Sequence, residues 1–152
     1  MKKIISIIAL TCFVFYSCKE NNTTALPSQN VENWPWHDSL DALVAASDYH
    51  KLVYEDSSMR VLEVTVMPGK LDPIHTHKGK SIVWVTHSSP LLYKTYEMDS
   101  NNNWTLVKTD TIIVKPEELN KAVWEKPEPP HSVENIGKEI FKLYRIEYKT
   151  ND

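Results

Sequence analysis

From His50 onward the chain is a succession of short segments rich in Val, Ile, Thr, Tyr and Trp, and this pattern limits the fold more than any other feature. Strands are expected at His50 to Glu55, Met59 to Met67, Ser81 to Thr86, Leu91 to Glu97, Trp104 to Lys108, Thr111 to Val114, Lys121 to Glu125 and Glu139 to Lys149. Asp56-Ser57-Ser58, Pro68-Gly69, Ser88-Ser89-Pro90 and the run from Asp99 to Asn103 separate them. With no helical pattern between them, such strands close into an antiparallel sandwich or barrel, so the expected class is all-β. One helical signal precedes them, with Asp38 or Ser39 as cap, then Leu40, Leu43 and Val44 at helical spacing, helped by Ala42, Ala45 and Ala46. It predicts two or three turns ending near Asp48. Pro127-Glu128-Pro129-Pro130 cannot supply ladder hydrogen bonds and reads as a rigid loop leading to His131.

The 152 residues suit a single domain large enough for a real core. A formal net charge of −3 offers no basic footprint for phosphate backbones, which argues against nucleic acid as a partner. The amino terminus reads as an export signal: Lys2 and Lys3, then nearly uninterrupted apolar sequence from Ile4 to Tyr16, too short for the roughly 20 residues that span a bilayer. Ser17-Cys18 resembles a bacterial lipoprotein cleavage site, with Phe15 standing where leucine is usual. The other reading is an ordinary secreted protein cut nearby. On the lipoprotein reading residues 1–17 are a signal peptide, Cys18 is lipidated, residues 18–33 are a flexible polar tether and residues 34–150 form the domain. The protein then sits in the cell envelope, periplasmic or on the outer membrane, and touches the membrane only through its lipid. Cys12 is discarded and Cys18 acylated, so no thiol remains for a disulfide, a metal or a nucleophile.

His75-Thr76-His77 is the most informative triplet, because residues two apart on a strand share a face and can offer two imidazoles to one ion. Pro68-Gly69 lies five residues before it, and far downstream His131 and Asn135 enclose Ser132-Val133-Glu134. A glycine, five residues, His-x-His, and much later His-x-x-x-Asn resembles the paired motifs of the cupin superfamily, small antiparallel double-stranded β-helix or jelly-roll barrels. The similarity runs from about Tyr49 to Lys149. It implies a cupin barrel with one short N-terminal helix, and a divalent metal (Fe, Ni, Zn, Cu or Mn) held in the barrel mouth by His75, His77 and His131. The family's fourth ligand, a glutamate four or five positions after the second histidine, falls at Ser81 or Ile82 and is absent. Three imidazoles alone leave open positions, as in the three-histidine iron sites of thiol dioxygenases, which suits catalysis more than structure. Such imidazoles must be neutral, so occupancy should fall below about pH 6.5. The proline run also stands where the family carries proline-x-glycine before its third histidine.

Other residues have plainer readings. Trp84 and Trp124 would line a pocket for an apolar or sugar-like ligand, although the core is the commoner place for a strand tryptophan. Arg60 and Arg145 would bind a carboxylate inside the barrel, against the commoner exposed arginine. Glu134 is off the parity of His131 and Val133 and should point outward. Tyr93 and Tyr96 cannot share a face. His87 reads as solvent-facing, and His37 and His50 as surface or loop residues. The three glycines exclude a phosphate-cradling loop.

Three functions fit these observations. One is a metal-dependent enzyme acting on a small organic molecule, of dioxygenase or isomerase type. The second is a non-catalytic module binding a small ligand such as a sugar, without metal. The third is a structural unit that pairs into homodimers through its exposed sheets.

Overall fold

The computed structural model describes residues 34–149. The signal peptide, Cys18, the tether and residue 150 lie outside the described residues. Within them nine strands form two antiparallel sheets: β1 (His50–Glu55), β2 (Met59–Val66), β3 (His75–His77), β4 (Ser81–His87), β5 (Leu91–Met98), β6 (Trp104–Ile112), β7 (Ala122–Glu125), β8 (Glu128–Asn135) and β9 (Phe141–Tyr148). One sheet has the order β1-β2-β9-β4-β7 and the other β3-β8-β5-β6. Alternation along the strands decides what faces inward. On β2 these are Leu62, Val64 and Val66, and on β9 Phe141, Leu143, Arg145 and Glu147. With Val83 and Leu91 the aliphatic members of these rows, and Phe141, make the hydrophobic core. Among the described residues no helix is long and apolar enough to cross a membrane.

Three expectations need correction. The helix is a single turn, α1 (Ala42–Ala45), preceded by a 3-10 turn at Asp38–Leu40. Its cap is Asp41, whose carboxylate accepts from Leu43 N at 3.0 Å. Val44 is exposed, so no apolar stripe holds a longer helix, and only the small Ala42 and Ala46 are buried. Second, Trp104–Ile112 is one strand, because Thr109 and Asp110 continue the ladder opposite Lys94 and Tyr93. Third, the proline run is not a loop: β8 starts at Glu128, inside it. The prolines fit because the β3–β8 register shifts there, from His75 opposite His131 to His77 opposite Glu128, and an irregular ladder does not need every N–H.

Two local devices fix the strand ends that matter below. Gly69 adopts φ +70 after β2, a left-handed turn that suits glycine, and its N–H reaches Asn135 O at 2.8 Å. Gly79, between β3 and β4, lies so close to β9 that a Cβ there would come within 2.5 Å of Tyr148 O.

Candidate metal centre

Four imidazoles converge inside the barrel. His75 and His77 come from β3, His131 from β8 opposite His75, and His50 from the head of β1, where its neighbour across the ladder is the inward-facing Val64. All four are buried. Ring centroids lie 4.3 Å apart for His75 and His131, 5.1 Å for His75 and His77, 5.5 Å for His77 and His131, and 4.5 Å for His50 and His75.

Each ring is oriented by a hydrogen bond through Nδ1. His75 meets Pro73 O at 2.9 Å, His131 meets Pro129 O at 2.8 Å, and His50 meets Ala46 O at 3.2 Å. His77 meets Glu147 Oε1 at 2.5 Å. A carbonyl can only accept, so the proton sits on Nδ1 and the lone pair on Nε2. Glu147 also accepts from Arg60 Nε through its other oxygen, which favours the carboxylate form and the same tautomer for His77. Burial holds the imidazoles of His50, His75 and His131 down at about 3, and drives His77 well below its usual range, with neighbouring rings and Arg145 adding repulsion. The contact between His77 and Glu147 is thus a neutral imidazole donating to a carboxylate.

Neutral imidazoles with Nδ1 occupied and Nε2 free are donors that a first-row metal ion takes. The donor atoms lying within 4.8 Å of one another form two overlapping sets, His50 with His75 and His77, and His77 with Glu128 and His131. His77 belongs to both, whereas His75 and His131 fall in different sets, so the expected trio His75, His77 and His131 is not by itself one of them. Glu128 supplies the second set with a carboxylate, which the first motif, with Ser81, lacks. Its oxygens accept from Tyr93 Oη at 3.1 Å and from Arg145, which also donates to Ser81 Oγ at 3.1 Å. Tyr93 in turn stacks on His131, with 4.8 Å between centroids.

The rings open onto a cavity of ≈ 680 Å³ between the sheets. Arg145 faces it, as the reading of a carboxylate partner inside the barrel requires, and that partner is Glu128. Trp84, Trp124 and Arg60 do not line it. The two tryptophans are 43% and 56% exposed, since they alternate with the inward Val83 and Val123 and so project from the outer face. Arg60 lies behind the site, where it pairs with Asp41 and Glu147. Glu134 points outward and pairs with Lys94. His87 is exposed, and so is His37, whose Nδ1 accepts from Ser39 N at 3.1 Å.

Sequence reasoning missed three contributors. His50 has no motif around it, and β1 is otherwise exposed, so its burial pattern carries no alternation. Glu128 was hidden by the proline run. Glu147 had a readable signal, the period-two row Phe141, Leu143, Arg145, Glu147.

No family profile matches the sequence, and no curated protein matches it. Solved structures do. A cupin domain from Bordetella pertussis Tohama I is 19% identical over 66% of this chain and 92% of its own, with a TM-score of 0.52. A cupin family protein with a double-stranded β-helix fold from Methanocaldococcus jannaschii is 9% identical over 65% of this chain and 77% of its own, with a TM-score of 0.45. Only the first is close enough for a fold to be read from it. Together with the two antiparallel sheets and the histidine cluster between them, it shows that this chain has the double-stranded β-helix fold of a cupin domain.

Proposed function

We propose that the chain binds a divalent first-row metal through His75, His77 and His131, assisted by His50 and Glu128, and receives a small organic molecule in the adjoining cavity. The observation that carries this reading is the common tautomer: four buried rings, each with Nδ1 committed to an acceptor, keep only Nε2 for a cation, and their ligand atoms fall into two overlapping sets that share His77. Without a cation those lone pairs repel, and burial denies them protons. A bound ion would supply Lewis acidity or an oxygen-binding centre to the molecule beside it. The chain's own part is to orient the rings through Pro73, Pro129, Ala46 and Glu147, to hold Glu128 with Arg145 and Tyr93, and to wall the reacting space with apolar side chains. The apolar leader and Cys18 support an envelope address for this activity. The metal-free sugar-binding reading loses its tryptophan platform, because Trp84 and Trp124 face outward.

Elemental analysis of the purified protein and of a His75→Ala/His77→Ala variant tests the proposal. About one equivalent of metal per chain is expected in the first and only background in the second, with circular dichroism showing that both are folded. Equal trace metal in the two would overturn it.

A further inference from the structure

Away from the histidines, the cavity is walled by the protein's own core. Val64, Val66, Val83, Leu91, Phe141 and Leu143 belong to the hydrophobic cluster and also face the ≈ 680 Å³ space. Protein interiors are packed near crystal density, with voids seldom larger than a water molecule, and an empty apolar hollow forfeits contacts on every wall. A hollow of this volume lies within the range of roughly 300–1,000 Å³ found for small-molecule sites.

Much of the polar lining is gathered rather than scattered. His50 touches His75, His75 touches His131, Tyr93 stacks on His131, and Glu128 joins Tyr93 to Arg145. A molecule filling the space therefore meets aliphatic wall over much of its body and this polar patch at its head, and Asp72, Glu118, Lys121 and Glu125 complete the polar lining. No tryptophan among the described residues lines the cavity, and one face of the Tyr93 ring is taken by His131, so the tryptophan platform on which sugars commonly stack is missing among them.

We propose that the cavity takes a small amphiphile, its hydrocarbon body against the core wall and a carboxylate head against the histidine patch. This rests on the metal reading above. With a divalent ion on the rings, Glu128 and Arg145 cancel, the single net negative charge of Glu118, Lys121 and Glu125 is smaller than the ion's, and an anionic oxygen is preferred to a neutral polar head.

Calorimetric titration of the zinc-loaded full chain with butanoate, hexanoate and octanoate tests the proposal, with zinc content measured on the same samples and 1-octanol and glucose as comparisons. Affinity should rise about fourfold for each added methylene, the factor that roughly 0.8 kcal/mol per buried methylene corresponds to. Octanoate should bind at least about tenfold tighter than 1-octanol, and glucose should not bind. Val83→Phe, which fills the wall, should lower octanoate affinity about tenfold at unchanged zinc content. If that variant does not fold, Val123→Trp on the half-exposed rim serves the same purpose. Equal affinity along the carboxylate series in protein that carries zinc would overturn the inference and leave the metal reading standing. Protein that ranks the carboxylates by length but takes up no zinc would overturn the metal reading and the head-group assignment with it.

Discussion

Glu147 is held from two sides, by His77 Nδ1 at 2.5 Å and by Arg60 Nε at 2.5 Å, while the Arg60 guanidinium also grips both oxygens of Asp41. Burial pushes the Glu147 carboxyl up from its usual range, and the positive charges of Arg60 and Arg145 pull it back. Its role follows from position: it fixes the His77 ring and makes its Nε2 a better donor. Partners of this kind are worth about 10–100-fold in metal affinity. Glu147→Leu should therefore weaken zinc binding by about that factor in a competition titration with a chromophoric chelator. Glu147→Gln, which keeps an acceptor for Nδ1, should recover part of it. Unchanged affinity in the leucine variant would show that His77 is oriented by packing alone. At this scale the sequence revealed the histidines with local patterns, His75, His77 and His131, since spacing on a strand or a recognisable motif announces them. It did not reveal His50 or Glu128, because both are drawn in by strand pairing over long sequence distances, and nothing near them in the chain records that.

Asn135 shows how the elements are fastened around the site. Its Nδ2 donates to Val66 O at the end of β2 and to Glu139 O before β9, each at 2.8 Å. Its Oδ1 accepts from Ser89 Oγ at 2.7 Å, ahead of β5, and from Gly137 N at 3.0 Å, in the turn after β8. The side chain is fully buried, so all of its hydrogen-bonding capacity is spent on joining the two sheets at the end of β8. Asn135→Ala would leave two carbonyls, a hydroxyl and an N–H short of a partner, at about 1–3 kcal/mol for each one that water cannot reach. A loss of about 3–5 kcal/mol in urea unfolding is the expected result, and a loss below about 1 kcal/mol would mean that water replaces the amide. Strand limits were readable where turn residues flank them, as at His50 to Glu55, which is β1 to the residue. The helix and β8 were misread for opposite reasons. The helix had a helical pattern without a surface to bury its Val44, whereas β8 had prolines that forbid a regular ladder and tolerate a shifted one.

For the molecule as a whole, the cost of the site is a set of imidazoles that the fold keeps neutral. In the unfolded chain they titrate near 6.5. In the folded, metal-free protein His50, His75 and His131 are held at about 3 and His77 well below its usual range. As pH falls below 6.5 the unfolded chain takes up protons that the folded state refuses, so stability falls, by up to about 1.4 kcal/mol per pH unit for each ring. Asp72 opposes this. Burial raises it from 3.8 to about 7, so between those values the folded state keeps a proton that the unfolded chain has lost, and lowering the pH through that window favours folding. Glu147, raised in the same direction, adds to the opposition. With four rings set mainly against Asp72 the slope remains at least that of about two imidazoles, roughly 3 kcal/mol per pH unit, which removes much of a typical domain's stability of about 5–15 kcal/mol between pH 6.5 and 4.5. A metal ion competes with protons for the same Nε2 lone pairs and binds only the folded arrangement, so saturating zinc should move the acid midpoint downward. Circular dichroism across an acid titration, with and without zinc, checks both parts. The metal-free protein should unfold between about pH 6 and 4.5, and zinc should lower that midpoint by half a unit or more. A midpoint below pH 4 without metal would mean that the buried rings accept protons in place, and one that zinc leaves unmoved would mean that no ion joins them.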